Sequence, residues 1–367
     1  MVSPDPALSP IGASEQVWRD AVELARKHGV QSLFFRAVKE NAQLHPDLAD
    51  LPDLMADLPD LRAASLENTR RNLRMSGELL KVLNAFDVRG IAVLPFKGPT
   101  LAALAHGDLG LREFGDLDLW IEREDLHRGE DLLRGLGYTP QVELASAGEA
   151  ILDAYGVIAF TNAASDCMVE LHWDLAPRFL PFPANFSRMY ERRIEVNVAG
   201  HPVPTMALED LLVYLCHHGA KHWWESLGWI ADVAWLVNRR AELDWRLLLD
   251  RARELRCERA LSLGLLLARD LLNAKVPRWV EEWTQSDAVA VRLAALVHQW
   301  LISSFHPGTL ERSRYYLALH SRIGDKLRCA YHLFVAPNVA DWEFLPLPRP
   351  LAFLYPVVRI VRLLKER

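Results

Sequence analysis

The spacing of the apolar residues changes just after Gly90, and this change limits the folds that the chain can adopt. Before Gly90, one broad face with helical spacing is formed by Leu66, Leu73, Leu79, Leu80, Leu83 and Phe86. After it, residues 91–96 form a compact apolar run, and residues 116–122 alternate between polar and apolar, as β-strands do. A glycine at such a place commonly ends a helix. The chain is therefore predicted to pass from a long helix into a small α/β region.

The remaining patterns predict helices on both sides of this α/β region. Strands are predicted at residues 157–162 and 167–173 and a hairpin at 194–198 and 203–206, whereas residues from 208 to about 333 have helical spacing. Residues 44–61, rich in Pro and Asp, are predicted as short helical turns. The sequence thus predicts an α+β fold with a small mixed sheet. We divide it into an N-terminal helical segment, a core, a larger C-terminal helical domain and a basic apolar tail, at residues 1–64, 65–206, 207–345 and 346–367.

Composition argues against several classes of protein. The formal net charge is −6 at pH 7, so no overall basic field attracts nucleic acid, and duplex nucleic acid is not an expected partner. The four cysteines lie far apart without CxxC spacing, which favours buried thiols over a zinc site or a disulfide framework. No secretory signal and no run of about 18 apolar residues is found. A cytoplasmic protein without a membrane span is predicted, and the tail is expected to pack on protein.

The pair Asp116 and Asp118 is the central chemical motif. In a strand, residues i and i+2 point to the same face, so both carboxylates are predicted to project side by side. Their mutual repulsion makes it costly to keep both ionised and raises the pKa of at least one of them. A bound divalent cation such as Mg²⁺ removes this free-energy cost. Glu170, between apolar neighbours on a later predicted strand, supplies a third carboxylate for a two-metal arrangement. The alternative is chance, because DxD is common at strand ends and in caps.

Three further groups of polar residues have both a functional and a structural interpretation. Arg112 lies in the turn before the DxD strand. Its functional interpretation is a clamp on a phosphate, and its structural interpretation is an ion pair with Glu113 or Asp108. On a predicted helix, one polar stripe is formed by Tyr214, His218, Lys221 and Glu225. A zinc site at His218 and His222 lacks the Glu of HExxH, so packed histidines are favoured there. His172 is interpreted as a strand residue packed beside Glu170.

Several separated motifs together resemble one known family. They are FKGPTLAALAHGDLGLREFGDLDLWIEREDLHRGEDLLRGLGY, VELHWDL and DLLVYLCHHGAKHWW. In this order they resemble the bacterial uncharacterised nucleotidyltransferase family, a branch of the DNA polymerase β-like superfamily. The resemblance covers about residues 65 to 240 and touches the tail at DWEFLPLPRPL. It implies a nucleotidyltransferase core of polymerase-β type at residues 65–206.

The resemblance also implies how the site works. Asp116, Asp118 and Glu170 hold two Mg²⁺ ions, with Mn²⁺ as a substitute, and ATP is the favoured nucleoside triphosphate (NTP). The superfamily usually has Gly-Ser after the first strand, where this chain has Lys97 and Gly98. Lys97 would neutralise phosphate as a point charge, and Gly98 would let the backbone approach closely. The stripe with His218 and Lys221 would face the nucleotide.

Two functions remain open from the sequence. The first is transfer of a nucleoside monophosphate, AMP in the favoured case, to an unidentified acceptor. Because such families are associated with modified-peptide biosynthesis, a peptide or protein acceptor is suggested. The second is an NTP-binding or scaffold protein that keeps the fold without turnover. The complete set of three carboxylates favours the enzyme, and the Lys97-Gly98 departure keeps the scaffold alternative open.

Overall fold

The structure is a computed structural model that describes residues 15–44, 52–141, 156–303, 307–336, 339–345, 347 and 349–365. The helices are α1 Glu15–Lys27, α2 Gln31–Leu44, α3 Pro52–Val88, α4 Gly98–Leu101, α5 Leu126–Gly135, α6 Phe186–Glu191, α7 Leu208–Lys221, α8 Leu227–Arg239, α9 Trp245–Glu254, α10 Glu258–Leu272, α11 Arg278–Ser286, α12 Ala288–Ile302, α13 Thr309–Leu319, α14 Ile323–Phe334, α15 Val339–Phe344 and α16 Tyr355–Lys365. A π-helical turn, Ala102–His106, continues α4, and 3-10 turns at Arg123–Asp125 and Arg349–Leu354 precede α5 and α16.

The described strands form one mixed sheet and one hairpin. They are β1 Val93–Pro95, β2 Asp116–Ile121, β3 Thr139–Pro140, β4 Val157–Asn162, β5 Cys167–His172, β6 Ile194–Val198 and β7 His201–Thr205. The sheet order is β1-β2-β5-β4-β3, in which β2 and β5 run parallel and the other neighbours antiparallel. Strands β6 and β7 form the predicted hairpin. The α+β class and the small mixed sheet are therefore confirmed.

Helices α3 and α5 cover one face of the sheet. The apolar face of α3 buries Leu79 and Phe86 completely, which explains its helical spacing of leucines. On α5, a Cβ at Gly129 would lie 3.2 Å from Leu171 and 3.3 Å from Ile121. A glycine at this position thus lets the helix approach the central strands closely.

The first part of α3 differs from the prediction for residues 44–61. Instead of short turns, the described residues from Pro52 onward belong to one long helix that contains Pro59. Leu58 packs against the small cluster of Trp18 and Val38, and Leu61 is buried. These contacts with the N-terminal helices stabilise a helix that the local Pro and Asp content disfavours.

The C-terminal helices share their core with the sheet. Buried apolar side chains continue without interruption from α3 and the strands into α7, α8, α10 and α12. The tail packs on protein only in part: Tyr355 and Val358 of α16 are buried and Arg359 pairs with the buried Asp341 of α15, whereas Val357 and Ile360 are exposed. Across the described ranges, no helix combines the length and apolarity needed to cross a bilayer.

Candidate active site

The acidic residues meet where β2 and β5 run side by side. The parallel register pairs Asp118 with Glu170 and Leu117 with Val169. Leu117 and Leu119 are buried, as the alternation predicted, and Asp116 lies two residues before Asp118 on the same strand. The Asp118 side chain is 1% exposed, whereas that of Glu170 is 29% exposed. The site therefore has one enclosed carboxylate and one that solvent or a substrate can reach.

Two basic side chains contact the Asp118 carboxylate. Lys97 Nζ lies 2.6 Å from Asp118 Oδ1. His172 Nε2 lies 3.3 Å from Asp118 Oδ1 and 3.3 Å from Glu170 Oε2. His172 is itself held by the ring of Phe96, at 5.2 Å between centroids. Asp118 is thus an ion-paired, buried carboxylate at the centre of the cluster.

The pKa values in this cluster follow from burial and from neighbouring charges. Burial, and after it the charge of Asp118, raises the pKa of Asp116 to about 6. Burial alone would raise the pKa of Asp118, but Lys97 and His172 lower it below its usual range. The hydrogen bond from His172 lowers the pKa of Glu170. Asp118 and Glu170 are therefore ionised at neutral pH, and Asp116 titrates close to it.

Gly98 has a structural reason to be glycine. Its φ is +55°, a left-handed conformation that glycine adopts most easily. A Cβ at this position would also lie 3.1 Å from the carbonyl oxygen of Asp116. The turn after β1 can thus pack directly on the start of β2, and this packing brings Lys97 to Asp118.

Arg112 pairs with a carboxylate that the sequence did not indicate. Its Nε lies 3.0 and 3.1 Å from the two carboxylate oxygens of Asp232, on α8, and His106 Nε2 lies 3.0 Å from the same residue. The expected partners were wrong, because Glu113 accepts a hydrogen bond from the amide of Gln31 and Asp108 one from the amide of Gly110. The charge of Arg112 nevertheless acts on Asp116.

The predicted polar stripe on α7 is shorter than expected. Tyr214 packs edge-to-face on Phe96, and the ring of His218 lies 5.8 Å from that of Tyr214. Burial and the charge of Lys97 lower the pKa of both His218 and Lys221. The helix ends at Lys221, so Glu225 lies beyond the stripe and not on it. The charge of Lys97 acts on all three remaining side chains, and the charges of Asp118 and Glu170 act on Tyr214 and Lys221.

The described residues contain one group of side chains suited to a metal ion. Ligand atoms of Asp118, Glu170 and His172 all lie within 4.8 Å of one another. Asp118 Oδ2 is buried and has no hydrogen-bond partner among the described residues, as expected of an oxygen that accepts a cation. This group differs from the expected trio because it includes His172 and not Asp116. His218 and His222 do not belong to it and instead pack on Trp229.

Sequence reasoning predicted His172 beside Glu170, as the structure shows, but did not count it among the candidate ligands. The i, i+2 rule that joined Asp116 and Asp118 also joins Glu170 and His172 on β5. Asp232 gave no such signal. It lies 120 residues from Arg112 in a helix whose pattern is otherwise apolar.

The sequence identifies this chain as a nucleotidyltransferase. The chain belongs to the family described as Uncharacterised nucleotidyltransferase, whose sequence profile matches residues 14–273. Among solved structures, that of the antibiotic-resistance factor ANT(2'')-Ia matches at 16% identity and a TM-score of 0.30, over 61% of this chain and 96% of that chain. So low a TM-score gives no information on the site. No curated protein sequence matches the chain.

Proposed function

We propose that this protein is a Mg²⁺-dependent enzyme that transfers a nucleoside monophosphate, AMP in the favoured case, from an NTP to an acceptor. The observation that carries the proposal is the parallel pairing of Asp118 with Glu170, with Asp116 two residues earlier on β2. Three carboxylates on two adjacent strands are the oxygen ligands that Mg²⁺ prefers. Membership of a nucleotidyltransferase family supports the same reaction.

Asp116, Asp118 and Glu170 are the residues that would hold two Mg²⁺ ions, and Mn²⁺ would substitute. The unpartnered Asp118 Oδ2 and the clustered ligand atoms of Asp118 and Glu170 fit such a role. When bound, the ions neutralise charge on the attacking and leaving oxygens. His172, which touches both Asp118 and Glu170, keeps these two carboxylates oriented.

Four side chains are proposed to bind the triphosphate of the donor. Lys97, Arg112 and Lys221 supply positive charge around the acidic cluster, and His218 lies between Tyr214 and the helix end. Arg112 is held by Asp232 through Nε, and its Nη1 is buried without a hydrogen-bond partner in the described part of the chain. A buried guanidinium nitrogen of this kind suits a phosphate oxygen.

The reaction then follows from these positions. The acceptor oxygen attacks the α-phosphorus of the NTP, and the bond from that phosphorus to the β-bridging oxygen breaks. Pyrophosphate leaves, and Lys97, Arg112 and Lys221 balance its charge. Glu170, the more exposed carboxylate of the cluster, accepts the proton of the acceptor. The proposed acceptor is a peptide or protein.

A second candidate function is binding of an NTP without turnover. The contact of Lys97 with Asp118 favours it, because the lysine already neutralises the carboxylate at 2.6 Å. In that case the cluster would be a structural ion pair in a scaffold protein.

One experiment separates the two candidates. The protein is incubated with each radiolabelled NTP, Mg²⁺ or Mn²⁺ and a cell lysate, and labelled products are resolved. We expect label from the α-phosphate to appear in an acceptor, and to be lost in Asp118→Asn. Asp131→Asn, at an exposed carboxylate on α5, is the matched control and should retain transfer. NTP binding without labelled product from any NTP would favour the scaffold function.

A further inference from the structure

A cavity lined by indole rings lies outside the acidic cluster and has no part in the transfer step described above. Its volume is about 330 Å³, and its walls include Trp223, Trp229, Trp300, Lys27, Glu225 and Arg312. This size is at the lower end for small-molecule sites. Three indoles with a few charged groups at the wall are a composition typical of pockets for flat, polar-edged ligands.

The walls of this indole pocket are held in place by hydrogen bonds between separate elements. Ser226 Oγ donates to the carbonyl of His28 at 2.8 Å, and the amide of Gly228 donates to the same carbonyl at 3.3 Å. The guanidinium of Arg312, on α13, lies 3.9 Å from the ring centre of Trp223 and covers one of its faces. The turn after α1 is thus fixed to the start of α8, and the pocket is largely formed before a ligand binds.

A smaller cavity adjoins the indole pocket and extends to Arg112. It measures about 70 Å³ and shares His28, Ser226 and Trp229 with the larger one. Its other walls include Arg112 and Asp232. The Trp229 ring also contacts His218, at 5.2 Å between centroids. The two adjoining cavities therefore form a cleft from Arg112, one of the proposed phosphate-binding cations, to the tryptophans.

We propose that the indole pocket binds the base of the NTP donor. This inference rests on the proposed function, in which Arg112, at the other end of the same cleft, binds the triphosphate. Every nucleobase has a flat π-face, and stacking on aromatic side chains is a general way to bind it. Glu225 adds a hydrogen-bond acceptor at the wall, which suits an exocyclic amino group. Adenine, guanine and cytosine carry such a group and uracil does not, so UTP should bind most weakly.

The test is calorimetric titration of the full chain with ATP, UTP and inorganic tripolyphosphate in the presence of Mg²⁺. Trp229→Leu should weaken ATP binding about 5- to 150-fold, the range that loss of one stacked base implies, and should change tripolyphosphate binding less than twofold. Trp229→Phe should restore most of the ATP affinity. Lys221→Met should weaken ATP and tripolyphosphate alike. Trp279→Leu, at a tryptophan that is 45% exposed on α11, is the control and should alter neither.

A second variant keeps the inference testable if Trp229→Leu does not fold. Glu225 is exposed, so Glu225→Gln should fold normally. This variant should lower the ratio of ATP affinity to UTP affinity several-fold. The inference is overturned if both Trp229→Leu and Glu225→Gln bind ATP and UTP as the wild type does. It is equally overturned if these variants raise the KM for the acceptor and leave ATP binding intact. Failure of the wild type to bind any NTP would overturn the proposed function itself.

Discussion

At the scale of single residues, the enclosed pair of Lys97 and Asp118 dominates the energetics of the site. Both side chains are largely buried, and their charged atoms are 2.6 Å apart. Two buried charges that neutralise one another are tolerated, whereas one left alone costs about 3–5 kcal/mol. Asp116 differs, because burial and the repulsion from Asp118 raise its pKa to about 6. The two aspartates of the DxD motif therefore have different effects on stability.

We expect Asp118→Asn and Asp116→Asn both to reduce transfer by orders of magnitude, since each removes a proposed ligand of Mg²⁺. Asp118→Asn should also lower the free energy of unfolding by about 3 kcal/mol, because Lys97 loses its partner. Asp116→Asn should not lower it, because repulsion is relieved. Urea unfolding in the presence of EDTA measures both. A double-mutant cycle checks the cause. If Asp118→Asn lowers the free energy of unfolding equally in the wild type and in Lys97→Met, the loss does not come from the Lys97–Asp118 pair.

The lowered pKa of the buried His217 predicts how the free energy of unfolding depends on pH. His217 is buried, its Nε2 lies 3.0 Å from the carbonyl oxygen of Leu180, and burial and then the charges of Lys221, His320 and His222 lower its pKa to about 3. Between pH 6.5 and 3 the unfolded chain therefore binds a proton that the folded chain does not. The free energy of unfolding must fall as pH falls through this window, by up to about 1.4 kcal/mol per pH unit.

His217→Gln should flatten this dependence, because glutamine can still donate to Leu180 but does not titrate. Urea unfolding at pH 7.5, 6.5, 5.5 and 4.5 gives the slope for each variant. His127→Gln is the control, since the His127 side chain is 70% exposed, and its slope should match that of the wild type. An unchanged slope in His217→Gln would mean that other groups cause the acid sensitivity.

At the scale of elements, α7 is the structure that joins the sheet, the site and the C-terminal helices. Its apolar side chains are buried along almost its whole length, and it ends where Trp224, also fully buried, turns back onto it. A Cβ at Gly219 would lie only 2.5–2.6 Å from the Trp224 ring. The same helix carries His218 and Lys221, so its end must be positioned for the proposed site to form.

Gly219→Ala should therefore destabilise the protein by about 1–3 kcal/mol, because the added methyl overpacks a filled core. The matched control is Gly77→Ala in α3, where a Cβ meets nothing within 4 Å. That substitution should stabilise by up to about 1 kcal/mol through helix propensity. Chemical unfolding of both variants measures the difference, and equal effects of the two would contradict the packing of Trp224 described above.

At the scale of the whole molecule, the sheet and the C-terminal helices form one continuous core, and the N-terminal helices close one side of the cleft. Only the folded chain brings Asp116, Asp118 and Glu170 together, since they lie on two strands that are distant in sequence. Binding of Mg²⁺ and an NTP at the proposed site is therefore expected to stabilise the folded state, by about 2.7 kcal/mol at a ligand concentration 100 times Kd.

A titration of Mg²⁺ with a non-hydrolysable ATP analogue should raise the unfolding temperature, and EDTA should reverse this rise. The double variant Asp116→Asn and Asp118→Asn should lose the metal-dependent part of the shift. A full metal-dependent shift in that variant would mean that the ions bind elsewhere in the chain. The Asp131→Asn control should respond as the wild type does.

Short-range patterns predicted much of this protein. The strand spacing that begins after Gly90 predicted β1, β2, β4, β5 and the hairpin to within two residues at each end. The i, i+2 rule predicted that Asp116 and Asp118 share a strand face, with Leu117 and Leu119 turned into the core. These features depend only on residues close in sequence, because the geometry of one helix or strand fixes which side chains share a face.

Only the tertiary structure decided which charges meet. Lys97 faces Asp118, and Arg112 faces Asp232 across 120 residues, because the turn after β1 and helix α8 both pack against β2 and its preceding loop. The indole pocket likewise draws its walls from the end of α1, the start of α8, α12 and α13. No local pattern contains this information, because a charge or a ring gains its partner only when separate elements bury their apolar faces against one another.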